Sequence, residues 1–337
     1  MTGDFERWIR GAPKCELHLH MDGTLQPGRM LALAAKNGVE LPYASEEDVR
    51  AAYAFKDLQS FLDLYFHGAS VLREEEDFYH LMADYLAVCR EQRIVHVEIM
   101  VEPQTYLPQG VSMATVMAGF DAAIREARDG WGQSVALILS LLRHLPEEEC
   151  IAQLEAAEPW RDHFVALGLA STESGNPPAD FQRLYAAARE RGYRLTIHAG
   201  EEGPPAFVRD ALDLLGVERI DHGVRAAEDP ALVARLAAEG VPLTVCPLSN
   251  VRLCVFDSLA EHPLPDLLAA GVPVTVNSDD PAYFGGYLND NFIALHRERD
   301  FGIPEARKVL ENAIDASFLA PAEQARLRAE LAAYGDG

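Results

Sequence analysis

Eight short, almost continuously apolar runs recur along the chain, most of them ending in a polar or glycine-containing turn. They are Lys14–His20, Ile94–Val101, Val135–Leu142, Phe164–Ser171, Arg194–Ala199, Arg219–His222, Pro242–Pro247 and Pro273–Asn277. Short apolar runs of this kind read as strands buried on both faces. Between them, stretches such as Phe181–Glu190 and Pro230–Glu239 space their apolar residues at helical period. Strand alternating with helix predicts parallel βα units, and eight units predict closure into a (β/α)8 TIM barrel. An open doubly wound sheet is the rival, but no run is followed by the G-x-G-x-x-G turn that would support it. The whole chain, 1–337, is expected to form one barrel domain. Residues 21–93, between the first two runs, hold amphipathic pieces at Pro27–Asn37, Leu58–Leu72 and Glu76–Glu91. A helical insertion there is expected to act as a lid over the catalytic end of the barrel. Pro304–Leu319 and Ala320–Ala333 read as two closing helices, the second beginning at Pro321.

Composition narrows the range of partners. The chain has 29 basic and 53 acidic residues and a formal charge of −24. That charge repels phosphate backbones and anionic bilayers, so neither a nucleic acid polymer nor a membrane is an expected partner, whereas a small neutral molecule is. No apolar run approaches the roughly 18 residues of a membrane span. The first residues lack the basic and apolar regions of a signal peptide, and five cysteines without paired spacing point to a reducing compartment. A cytoplasmic location is the expectation.

The chemistry is concentrated at the ends of the strands. Residues two apart on a strand share a face, so His18 and His20 converge on one point. Glu16 is read as lying off the face of both. His198, His222 and Asp279 close the fifth, sixth and eighth runs, so all five residues sit where a barrel keeps its active site. A core histidine bonded to a backbone carbonyl would account for any one of them. It accounts poorly for four of 11 histidines gathered at one end. Three imidazoles and a carboxylate with room for water form the arrangement of a hydrolytic zinc site. Two-metal barrels bridge their ions with a lysine on the fourth strand. The four lysines here (Lys14, Lys36, Lys56 and Lys308) all lie elsewhere, so one zinc ion per chain is expected.

Glu201, three residues beyond His198, is a candidate proton donor, since a carboxyl near a partly dry pocket has its pKa raised. A turn carboxylate is the alternative, because Glu202-Gly203-Pro204-Pro205 follows directly. Asp280 points the other way from Asp279 and is placed to accept a hydrogen bond from a substrate. Cys15 and Cys246 read as small buried hydrophobes, and His96 with Glu98 as a polar pair of the core. His67, His80, His144, His163, His262 and His296 read as structural or exposed.

These segments resemble the adenosine and AMP deaminase family, and more closely its bacterial adenine deaminase branch. The resemblance rests on Glu16–Thr24 (ELHLHMDGT), His96–Thr105 (HVEIMVEPQT), Leu142–Leu145 (LRHL), His198–Pro205 (HAGEEGPP) and Arg219–Arg225 (RIDHGVR). It continues in Pro242–Asn250 (PLTVCPLSN) and Val276–Tyr287 (VNSDDPAYFGGY). It implies hydrolytic deamination at C6 of a 6-aminopurine, most simply adenine to hypoxanthine and ammonia. By that resemblance His18, His20, His198 and Asp279 hold zinc, which brings the pKa of its water near neutrality. Glu201 protonates N1, His222 orients the water and takes up its proton, and Asp280 engages the N7 side of the base.

Two positions depart from the adenine branch. Asp22 stands where that branch has glutamate, and Ala170 interrupts its Gly-Leu-Asp-Ser-Ser-Glu run, here Gly168-Leu169-Ala170-Ser171-Thr172-Glu173. Both shorten a side chain near the expected pocket and keep open an N6-substituted adenine, adenosine or 6-aminodeoxyfutalosine as substrate. An amide or ester hydrolase, and a purine-binding protein without turnover, are the further alternatives. Retention of Glu201, His222 and the whole ligand set speaks against the binder.

Overall fold

The computed structural model describes residues 2–335. Eight parallel strands follow one another around the sheet in chain order. They are β1 (Lys14–His20), β2 (Ile94–Val101), β3 (Ser134–Leu142), β4 (Phe164–Ala170), β5 (Arg194–Ala199), β6 (Arg219–His222), β7 (Leu243–Val245) and β8 (Val274–Val276). This is the expected (β/α)8 barrel. The last two strands are shorter than their apolar runs for a simple reason. Proline has no N–H to give a ladder, and Pro242, Pro247 and Pro273 bound those runs; Pro247 instead opens the helix Pro247–Arg252.

The seam between β8 and β1 is closed at its upper rim. A bridge pairs Leu19 with Asp279. There the His20 N–H donates to the Asp279 carbonyl at 3.0 Å, and the Asp279 N–H donates to the His18 carbonyl at 3.2 Å. Side chains complete the stitch. Asn277 Oδ1 accepts from the Leu17 N–H at 2.8 Å, and Glu16 Oε1 accepts from the Ser278 N–H at 2.9 Å. Strict alternation would put Glu16 on the face of His18 and His20, but the β1–β2 register breaks between Glu16 and Leu19. The extra residue turns Glu16 outward, where Oε2 accepts from the Tyr85 hydroxyl at 2.5 Å. Glu16 therefore serves the seam and leaves the two histidines facing inward.

Lower in the barrel, Arg219 and Glu98 form a fully buried ion pair at 2.6 Å, with His96 3.3 Å from Glu98. Burial opposes the Glu98 charge, but Arg219 outweighs it and holds the carboxyl down at about 2. His96 and Glu98 are the core polar pair expected from their alternation.

Residues 21–93 carry four α-helices: Pro27–Asn37, Glu46–Ala52, Leu58–Ala69 and Glu75–Gln92. Three match the apolar periodicity to within a few residues. Glu46–Ala52 was not legible in that way, because Val49 is its one buried residue and Ser45, accepting from the Asp48 N–H, supplies its start. The helix Leu58–Ala69 begins at a capping box of Asp57 and Ser60, and it buries Leu58, Phe61, Leu62 and Tyr65 on one face. That face lies above the carboxyl ends of the strands.

Asn277 gives the seam a direct test. Asn277→Ala strands the buried Leu17 N–H, and an unpaired buried donor costs about 1–3 kcal/mol. Urea unfolding should show that loss in the metal-free protein. An unchanged midpoint would mean that the side-chain stitch is not what closes the barrel.

Candidate active site

His18 and His20 project from the end of β1, His198 from β5 and Asp279 from just past β8, all buried. Each ring of the β1 pair is tied at Nδ1. His18 Nδ1 lies 3.1 Å from the Thr244 carbonyl and 3.0 Å from Thr244 Oγ1, whose own proton goes to Asp221. His20 Nδ1 donates to Glu102 Oε1 at 2.7 Å. His198 Nδ1 faces Asp221 Oδ2 at 3.7 Å. The Nε2 atoms turn to a common centre, and His18 Nε2 has no hydrogen-bond partner.

The spacing of these atoms shows what the centre fits. His20 Nε2 is 3.2 Å from His198 Nε2, and Asp279 Oδ1 is 3.3 Å from His18 Nε2 and 3.4 Å from His20 Nε2. A tetrahedral ion with bonds of about 2.0–2.1 Å has ligand-to-ligand edges of about 3.3–3.4 Å. These four residues form one of the donor sets whose atoms all lie within 4.8 Å of one another. The donor set fits a single divalent cation. A second such set includes Cys246 with His18, His222 and Asp279. Burial pushes the Cys246 thiol well up, and it points to the Thr244 carbonyl at 3.7 Å, so it stays a protonated core residue.

His222 ends β6 with Nε2 3.6 Å from both Asp279 Oδ2 and Glu201 Oε2. His222 and Asp279 hold left-handed backbone at φ 59 and 64. Such conformations are costly for residues with a side chain and occur where the surroundings impose them, often at functional sites. Burial disfavours the charged form of Asp279, but the His18 and His222 imidazoles outweigh it and hold the carboxyl well below its usual range. Burial, followed by the charges of Asp279 and Glu173, raises Glu201 well above the usual carboxylate range. Burial and Asp279 do the same to Asp280.

Three residues important to this geometry were not singled out by sequence reasoning. Glu102, just past β2, orients His20. Glu173, past β4, is fully buried and accepts three backbone N–H groups, from Gly200 at 3.0 Å, Glu201 at 2.9 Å and Gly203 at 3.0 Å. It clamps the loop that carries Glu201, and a side chain at 203 would collide with its Oε2. Asn250 meets the far side of His222. Glu102 and Glu173 shared one readable sign, a carboxylate just beyond a strand end. Asn250 had none beyond its place in a motif.

A cavity partly open to solvent lies over the centre. Its floor is His20, His198, Glu201, His222, Asp279 and Asp280, and its upper wall is the apolar face Leu58, Phe61, Leu62 and Tyr65 of the inserted helix. Ala170 and Ser171 form part of the side. Asp22 is not among the lining residues. It is buried and accepts from the Tyr106 hydroxyl, and burial lifts its carboxyl to about 8. Of the two departures from the adenine branch, only Ala170 therefore borders the cavity.

Barrel and centre together define a metal-dependent hydrolase of the (β/α)8 class. A family model for adenosine deaminase matches residues 13–334, and the chain belongs to that family. It is 51% identical over 327 residues to the adenine deaminase of Hahella chejuensis, covering 97% of this chain and 98% of that one. Among solved structures it resembles the adenine deaminase of Arthrobacter aurescens, with a TM-score of 0.94 and 47% identity over 96% of this chain and 99% of that one. It also resembles an amidohydrolase from Burkholderia ambifaria with bound zinc, with a TM-score of 0.90 and 26% identity over 99% of this chain and 93% of the other. Among the described residues no helix is long and apolar enough to cross a membrane.

The Glu102–His20 contact generates a test. Removing a carboxylate that orients a ligand histidine costs about 10- to 100-fold in metal affinity or activity. Glu102→Ala should lose metal affinity by that factor in a chelator-buffered titration while keeping its circular dichroism. Unchanged affinity would remove Glu102 from the account.

Proposed function

We propose that this chain is a zinc-dependent aminohydrolase that converts adenine and water to hypoxanthine and ammonia. The observation that carries the reading is a buried carboxyl, Glu201, held beside three convergent imidazoles and the Asp279 carboxylate under an apolar roof. Relatives named adenine deaminase at about half identity over nearly the full chain support adenine as the substrate. The zinc-bound relative supports the choice of metal, one ion per chain, on His18, His20, His198 and Asp279. Bound there, zinc would supply Lewis-acid activation of water at neutral pH.

The chain's own residues do the rest. The apolar face Leu58–Tyr65 packs on the flat base, keeps bulk water out and lays C6 toward the centre. Glu201, kept protonated by burial, gives its proton to N1, which weakens the ring's resistance to addition at C6. The water oxygen bonds to C6, one of its protons passes to the amino group, the C6–N6 bond breaks and ammonia leaves, and its second proton returns to Glu201 as the C6 carbonyl forms. His222 holds the attacking water in line. N7 offers only a lone pair, so it needs a donor. Asp280 held protonated by burial supplies one, the reverse of the accepting role expected from its position in the chain. The buried Glu173 clamp fixes the loop so that Glu201 does not drift from N1.

Two outcomes follow. Glu201→Gln keeps the shape without the acidic proton, so turnover should fall by roughly 10²- to 10⁴-fold with metal content unchanged. Near-parental turnover would reduce Glu201 to a turn residue. In an ammonia-release panel, adenine should show a higher kcat/KM than adenosine or an N6-substituted adenine. An unoccupied N9 edge is what a small roofed cavity accepts, and misfit groups are discriminated by about tenfold per 1.4 kcal/mol. A tenfold or greater preference for a nucleoside would overturn the substrate and leave the metal chemistry standing.

A further inference from the structure

The reaction uses the Nε2 side of His222. Its Nδ1 side enters a buried chain that belongs to neither the ligand set nor the cavity wall. Asn250 Nδ2 lies 3.2 Å from His222 Nδ1, and Asn250 Oδ1 lies 3.2 Å from His262 Nε2. The Leu264 backbone N–H donates to His262 Nδ1 at 3.2 Å. Asn250 and His262 are fully buried, and Phe256 packs on the His262 ring at 5.1 Å between centroids. Asn250 sits on the helix Pro247–Arg252, and Leu264 opens the helix Leu264–Ala269.

The polarity of every link follows from its first member. A backbone N–H can only donate, so His262 Nδ1 accepts and carries no proton. Burial and the Arg299 charge lower the pKa of His262 to about 3, so the ring is neutral and its one proton is on Nε2. That proton needs an acceptor, which fixes Asn250 with Oδ1 toward His262 and its NH2 toward His222. His222 Nδ1 must then accept, and the remaining ring proton lies on Nε2, facing the site. Turning any one member over sets donor against donor at the next junction. Protonating both nitrogens of His222 does the same.

We propose that Asn250 and His262 are positioning residues that lock His222, from the Leu264 N–H inward, in the form that presents an Nε2–H donor to the cavity. The proposal rests on the deaminase reading for its catalytic consequence. His222 then grips the attacking water by donating to its oxygen, and its resting form has no lone pair in the site with which to take the water's proton.

The experiment combines a spectroscopic and a kinetic arm on the full-length, zinc-loaded protein. In ¹⁵N-histidine NMR, with His222 assigned by its loss in H222Q, the ring should show a protonated Nε2 and an unprotonated Nδ1; the opposite pattern overturns the proposal. In N250D a carboxylate can accept from both rings and draws the His222 proton to Nδ1. A histidine held in the wrong tautomer costs up to about 10⁴-fold in kcat in the serine protease triad. Here N250D should lose about 10²-fold or more in kcat, with KM and zinc content near parental values. A retained or raised kcat, as expected if His222 were the base, overturns it. H262A should lower kcat about tenfold, and H262Q, whose amide can still donate to Asn250, should restore most of it. Equal losses in both would mean a packing role only. If N250D does not fold, the NMR pattern of the parent still decides. A parent that releases no ammonia from adenine overturns the proposed function, while the tautomer result stands by itself.

Discussion

Three imidazole nitrogens and a carboxylate oxygen gathered within 4.8 Å of one another, three of their separations only 3.2–3.4 Å, is the constraint around which the rest of this molecule is organised. Taking four such polar groups out of water costs free energy, and folding must supply the work to gather them. The barrel does this at its seam. The same backbone groups of His18, His20 and Asp279 that close β8 onto β1 also carry the donors. The break in β1 alternation frees Glu16 to stitch the seam from outside while the two histidines face in. Closure of the fold and assembly of the site thus use the same residues.

Burial has opposite consequences for neighbouring acids, and the chemistry depends on the difference. Asp279 is flanked by imidazoles and stays ionised; Glu201 and Asp280, beside it, are pushed toward their protonated forms. One carboxylate is thereby suited to a cation and two carboxyls to donating a hydrogen bond or a proton. Glu173 reinforces this division twice, by clamping the Glu201 loop through three backbone donors and by adding to the burial and the Asp279 charge that disfavour ionisation of Glu201. The apolar roof from the inserted helix preserves the low dielectric that both effects need.

The barrel was legible because its strands are buried on both faces and read as unbroken apolar runs. Limits were lost mainly where proline cut a ladder short, at Pro242, Pro247 and Pro273. The helix Glu46–Ala52 escaped because one buried residue makes no period. The seven expected site residues were legible because each stands at or just past a strand end; six of them line one cavity, and His18 joins three of these in the donor set. Glu102, Glu173, Asn250 and His262 were not, since each acts through another residue. His262 was read as structural or exposed, and its contact with Asn250 exists only once the turn before Leu264 folds back on the helix after β7. Asp22 drew attention as a departure near the substrate, whereas the structure gives it to Tyr106.

Elemental analysis of the purified, active protein tests the central claim most directly. One zinc per chain is predicted, lost together with activity in His18→Ala and in His198→Ala. Two ions per active chain, or full activity in a chain stripped of metal, would contradict the convergence of these four side chains on a single ion.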